Sequence, residues 1–228
     1  MQGKKLYRHD ISRRILTGLV FFSFTLFPIQ HYAKPFANEQ MLTRLLNQYD
    51  VSAKERGIGL NALLDQLMDK PVEQKLVEVN RFFNRFKYEE DIVLWRVEDY
   101  WATPEEFIGI YSGDCEDYVI AKYFALRALG VDDSRLFLTY VKATKENIAH
   151  MVLSYFETPT GIPLILDNYE LRIVSADKRS DLKPVYSFNA KSLFLTNPSA
   201  GLGRALPTDK VRNSKWEKLL ADVGWENS

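Results

Sequence analysis

The sequence predicts an α+β protein whose helical N-terminal half packs on an antiparallel sheet, and three observations predict it. Apolar residues recur at helical spacing as far as Leu129, Gly130 breaks the run, and from Leu136 onward the apolar period falls to two. Helices gathered before strands, without alternation, belong to α+β architecture and not to a wound α/β sheet. With 46% hydrophobic residues over 228 positions, the chain can build one core.

The N-terminus comes first. Residues 1–14 carry Lys4, Lys5, Arg8, Arg13 and Arg14 against the single acid Asp10, and the run from Ile15 to Ile29 has no charge. A basic region followed by an apolar one is the pattern of a secretory signal, expected here as residues 1–33 with cleavage between 33 and 37. The run falls short of the roughly 20 residues that span a bilayer, so no stable membrane insertion is expected after cleavage. Without residues 1–33 the 30 Lys+Arg become 25 and the 30 Asp+Glu become 29, a net charge of −4. A mildly acidic chain with no basic run and no aromatic-basic interleaving is not built for nucleic acid or an anionic membrane surface.

Residues 38–228 are expected to form a single domain, with a helical subdomain over about 38–113 and a catalytic helix and sheet over about 114–200. Spaced apolar residues predict helices over Asn38 to Gln48 and Ala53 to Met68, and Pro71 opens a third with the stripe Leu76, Val79, Phe82 and Phe83. An aromatic-acidic connection, Tyr88 to Gly113, holds Trp95, Tyr100 and Trp101, and within it Thr103-Pro104-Glu105-Glu106 marks a helix start. Cys115 to Leu129 reads as a helix that Gly130 ends. Strands are expected over Leu136 to Val141, Ala149 to Phe156 and Pro163 to Asn168, the last two joined through Glu157 to Gly161.

One stretch poses a chemical question. Tyr111-Ser112-Gly113-Asp114-Cys115-Glu116-Asp117-Tyr118 holds the only cysteine, flanked by three carboxylates. Nearby anions raise a thiol pKa and suppress the reactive thiolate, so either the thiol is idle or something positive neutralises its neighbours. A lone cysteine is buried and inert, paired between chains, or kept for reactivity. Its place in the first turn of a helix favours the third, because unpaired N–H groups there stabilise an anion. The histidines are His9, His31 and His150, and only His150 lies beyond the leader. A turn about Thr158-Pro159 would set His150 directly opposite Asp167, at the strand edge of a cleft, with Cβ atoms about 4.5–5.5 Å apart. Cys115, His150 and Asp167 then make a Cys-His-Asp triad of thiol, base and orienting acid. The Cys115 backbone N–H is the first oxyanion donor, and the Trp101 indole is either a second donor or a core aromatic.

The order Cys115, His150, Asp167 on a helix followed by two strands resembles the transglutaminase-like variant of the papain-like core. YWATPEEFIGIYSGDCEDYVIAKYFALRALGV, the His150-Met151-Val152-Leu153 strand and Leu166-Asp167-Asn168 resemble the LapG-type bacterial periplasmic cysteine proteases. The resemblance covers most of residues 40–200 and is weaker over Gly201 to Ser228. It implies a periplasmic endopeptidase that needs calcium beside the active site, held here by Asp114 and Glu116 with Asp117 as a third ligand. Calcium is a hard cation that takes six to eight oxygens, and its charge would make the site tolerant of a thiolate. The resemblance further implies a large surface adhesin as substrate, cut near its N-terminus at a paired-alanine site to release a biofilm. It also implies sequestration by the periplasmic domain of an inner-membrane cyclic di-GMP receptor. Two other readings share these residues. A protein transglutaminase-type acyl transferase would resolve the same thioester with an amine, and a catalytically silent calcium-dependent binding module would keep only the acids.

Overall fold

The computed structural model describes residues 35–197, 201–206 and 214–224. The expected signal, residues 1–33, lies outside them. Helix α1 (Glu39–Arg44) runs on through a π turn, Leu45–Tyr49, and α2 spans Val51–Leu67. Asn38 and Asp50 start these two helices by accepting the N–H of Met41 and Ala53, which satisfies donors that a helix start leaves unpaired. Helix α3 (Val72–Phe83) follows Pro71 and buries Leu76, Val79, Phe82 and Phe83, the stripe its period predicts.

The connection between Tyr88 and Gly113 is more ordered than its composition suggests. It holds a short helix α4 (Asp91–Leu94) and α5 (Pro104–Ile110), bracketed by strands β1 (Lys87–Tyr88) and β2 (Ser112–Gly113), which pair in parallel. Thr103 and Glu106 form a reciprocal capping box around Pro104 at the first position of α5. Tyr111 turns the chain out of α5 with φ 63°, directly before β2. This turn delivers the chain to the start of α6 (Cys115–Ala128). Helix α6 is buried along almost its whole length, including Tyr123, Phe124 and Leu126, because it packs against α3 and α5 on one side and the sheet on the other. Gly130 takes φ 78° after its last residues, as a glycine past a helix end does.

Among the described residues the main sheet is antiparallel and holds seven strands in the order β6-β5-β4-β3-β7-β8-β9. These are β3 (Leu136–Ala143), β4 (Ile148–Tyr155), β5 (Leu164–Leu166), β6 (Val174–Ser175), β7 (Leu182–Phe188), β8 (Leu193–Asn197) and β9 (Gly201–Leu206). Strands β3 and β4 sit under α6. A last helix, α7 (Ser214–Asp222), buries Trp216 and Leu219 in the same core. Among the described residues no helix is long and apolar enough to cross a membrane.

The structure corrects four expectations. The sheet runs beyond the three strands that periodicity marks. In sequence Pro184 argues against a strand at β7, but it sits where the pairing with β3 shifts by one residue, a place where a missing N–H is tolerated. Strand β5 ends at Leu166, so Asp167 lies just beyond it. The β4–β5 register pairs Leu153 with Leu166 and Tyr155 with Leu164, two residues away from the pairing that would oppose His150 and Asp167. The cause is the turn: Gly161 N–H donates to Thr158 O, so Pro159 and Thr160 are the central residues. Proline is favoured at the first central position and disfavoured at the second, which a turn about Thr158-Pro159 would require. A shift of two keeps every side chain on its face, so His150 and Asp167 still meet. Finally, His150 is 1% exposed and not at an open strand edge.

Candidate active site

Three elements converge at the start of α6. Cys115 is its first residue, His150 comes from β4, and Asp167 from the chain just past β5. His150 Nε2 lies 2.8 Å from Asp167 Oδ1, both side chains being fully buried. With Nε2–H donated to the carboxylate, the lone pair is on Nδ1, which has no hydrogen-bond partner. The sulfur of Cys115 approaches the backbone N–H of Met151, the residue after His150. Its thiol donates to Glu116 Oε2 at 3.1 Å and not to His150. Burial pushes the Cys115 thiol well up, and the charges of Glu116 and Asp114 push it further. In this arrangement the thiol is turned onto a carboxylate.

Asp167 is held from several sides. Burial works to raise its pKa, yet hydrogen bonds from His150, the Tyr169 N–H and Arg179 outweigh burial and hold the carboxyl well below the usual range. Arg179 Nη2 donates to Oδ2 at 2.8 Å, and the Tyr169 N–H reaches Oδ1 at 3.1 Å. The main-chain carbonyl of Asp167 accepts from Asn84 Nδ2 at 2.8 Å and from Lys122 Nζ at 3.2 Å. Lys122 is fully buried on α6, and burial lowers its pKa to about 7. The Tyr169 ring stacks on the His150 imidazole with centroids 4.3 Å apart and planes 11° from parallel. The observed register, continued past Leu166, brings Tyr169 across from His150.

None of Asn84, Lys122, Tyr169 or Arg179 carries a signal in the sequence, because each reaches the site across a large sequence separation or from an irregular link. Trp101 resolves to one of its two readings. Its indole N–H donates to Asp99 at 3.0 Å and its ring stacks on Phe188, so it is a core aromatic whose donor is already committed.

The predicted metal-ligand acids divide into two overlapping groups. Ligand atoms of Asp114, Cys115 and Glu116 lie within 4.8 Å of one another, and so do those of Asp91, Asp114 and Asp117. Asp91 was missed because nothing in Glu89-Glu90-Asp91 separates it from solvated acids. Asp117 is fully buried and also braces the backbone, its Oδ1 accepting from Ala102 N–H at 2.8 Å and its Oδ2 from Asp114 N–H at 3.3 Å. Asp91 Oδ1 and Asp114 Oδ1 are buried without a partner. Burial, then Glu116, pushes Asp114 up to about 9. Burial pushes Glu116 up to about 7, and raises Asp91 and Asp117 as well. Four crowded carboxylates, of which Asp91 and Asp114 each have a buried oxygen without a partner, are a set that a hard divalent cation satisfies and that hydrogen bonds do not.

Gly113 makes this crowding possible. A Cβ added there would stand 2.3 Å from Asp117 Oδ2 and 2.9 Å from Phe107 Cδ2. Asp117 cannot yield without releasing Ala102. Gly113→Ala is therefore expected to cost about 1–3 kcal/mol, seen as a lower thermal midpoint.

The chain is similar to known cysteine proteinases. Residues 58–183 match a family described as bacterial transglutaminase-like cysteine proteinase, BTLCP. Legionella pneumophila LapG is 40% identical, with a TM-score of 0.69 over 81% of this chain and 96% of that one. An EGTA-treated structure of LapG is 41% identical at a TM-score of 0.71, covering 81% and 96%. A calcium-bound structure is 42% identical at 0.69, covering 80% and 97%. No curated protein matches.

Proposed function

Because this chain belongs to the bacterial transglutaminase-like cysteine proteinases, we propose that it is a calcium-dependent cysteine endopeptidase with a Cys115-His150-Asp167 triad. The observation that carries this reading is the buried His150–Asp167 pair with its free Nδ1, beside a helix whose first residue is the sole cysteine. His150 Nδ1 takes the thiol proton once Sγ leaves Glu116, and the thiolate attacks the scissile carbonyl. Asp167 orients the ring, and the Cys115 N–H at the start of α6 faces the developing oxyanion. His150 returns the proton to the leaving amine, and water resolves the thioester.

Asp114, Glu116 and Asp91 would hold calcium, with Asp117 bracing them or adding an oxygen. The calcium-bound and EGTA-treated forms of LapG support calcium as the ion. Bound there, the ion supplies the positive charge that the carboxylates around Cys115 lack. Glu116, as one of the residues that would hold the ion, would then be drawn away from the thiol.

The substrate we propose is a large surface adhesin, cut in its N-terminal segment at a paired-alanine site. The compartment is the periplasm, and the restraint is the periplasmic domain of an inner-membrane cyclic di-GMP receptor. These rest on the likeness to LapG-type proteases. Incubating the protein with adhesin N-terminal segments, with calcium or chelator, tests them: one calcium-dependent cut at paired alanines is expected. Incorporation of a primary amine in place of cleavage would favour acyl transfer.

A further inference from the structure

Behind the catalytic pair stands a buried arginine. Arg179 lies in the link between β6 and β7, with its side chain 7% exposed. Its Nη2 reaches Asp167 Oδ2 at 2.8 Å and Asp181 Oδ2 at 2.8 Å, and its Nε reaches Asp181 Oδ1 at 3.0 Å. We propose that Arg179 is a positioning residue of the proteolytic reaction, holding Asp167 so that His150 presents Nδ1 to the thiol. The proposal rests on the proteolytic reading above.

A carboxylate bound through one oxygen can still swing about its last torsion, which is broad. Asp167 Oδ1 serves His150 and the Tyr169 N–H, while Oδ2 has Arg179. Asn84 and Lys122 hold only the carbonyl of Asp167, so they fix its main chain and leave the carboxylate free to turn. Arg179 is the group that stops that turn. Its planar fork suits the task, since it spans two carboxylates in one plane as a lysine cannot. Asp181 has a distinct part. By pairing with the guanidinium it offsets a cation that would otherwise stand one residue behind an imidazolium. The row His150, Asp167, Arg179, Asp181 thus alternates in charge when His150 is protonated. A buried guanidinium with Nη1 unsatisfied is costly to keep, and the hold on Asp167 is what it supplies.

The test uses the full chain with calcium. Two readouts are taken: kcat and KM on a cleavable peptide, and the proton NMR signal of His150 Nε2–H, which needs no substrate. Arg179→Met is expected to lower kcat about ten- to a hundredfold with KM nearly unchanged, and to shift or broaden the Nε2–H signal through faster exchange. Arg179→Lys should recover part of kcat. Asp181→Asn should keep the Asp167 contact while leaving the guanidinium charge uncompensated, so kcat is expected to fall, but by less than in Arg179→Met. A wild-type kcat and an undisturbed signal in Arg179→Met would overturn the proposal. So would a loss that lysine does not rescue and that leaves the Nε2–H signal unchanged, since that is a structural role. Should Arg179→Met fold poorly, Arg179→Lys decides: a reduced kcat with a shifted signal supports the proposal, and wild-type values on both refute it. A wild-type protein that cuts no peptide would end the proteolytic reading, while the His150 signal still decides whether Arg179 holds the pair.

Discussion

Replacing Cys115 with alanine is expected to abolish peptide cleavage, a loss of at least about 10⁴-fold in kcat. The sulfur is the only thiol in the chain, and without it no thioester can form. The fold should survive, because Cys115 is the half-buried first residue of α6 and alanine suits that position. His150→Ala should be equally inactive but less stable by about 1–3 kcal/mol, since it empties a buried site and removes a partner of Asp167. Asp167→Asn should keep partial activity, with an amide that accepts from His150 but turns a donor toward Arg179. Cleavage assays together with thermal unfolding separate these outcomes. Wild-type cleavage by Cys115→Ala or Cys115→Ser would dispose of the protease reading.

Removing calcium should have the next largest effect: cleavage stops in excess chelator and returns with calcium. The acids around the thiol decide this. Left uncompensated, Glu116 and Asp114 add to burial in holding the thiol protonated. Asp114→Ala and Glu116→Ala should lose calcium binding and activity together, and Asp91→Asn should weaken binding at least about tenfold by calorimetry. Magnesium should substitute poorly, because it demands a rigid octahedron and gives up water reluctantly.

The same acids set a pH dependence of stability. Asp114 rises from an ordinary 3.8 to about 9, and Glu116 from 4.5 to about 7, so the fold favours their protonated forms. Their stabilising contribution is therefore complete below about pH 4 and is lost as pH rises through about 7 to 9. Calcium needs the ionised carboxylates, so its stabilisation grows over the same window. Thermal midpoints with chelator and with calcium should coincide in acid and separate toward neutral pH. A calcium-free protein whose midpoint holds constant from pH 5 to 9, with full activity, would leave these carboxylates as ordinary helix-start acids.

The amino-acid sequence by itself determined the helices α1, α2, α3 and α6 and their place before strands β3, β4 and β5, the start of α5 at Thr103-Pro104, and the place of Cys115 in the first turn of α6. Each is a local property, set by apolar period, capping chemistry and the preferences of proline and glycine within a few residues. It also singled out Cys115, His150 and Asp167 by scarcity and spacing. The pairing of His150 with Asp167 survived a wrong turn assignment because an even shift of register leaves side chains on their faces. Only the tertiary structure decided the rest. Asp91 reaches Asp114 across the whole segment containing α4 and α5, and Asn84, Lys122 and Arg179 meet at Asp167 from three separate elements. Such contacts depend on which elements pack together and not on local pattern. A buried carboxylate, lysine or arginine reads in sequence like its solvated counterpart until packing removes the water and makes its partner obligatory.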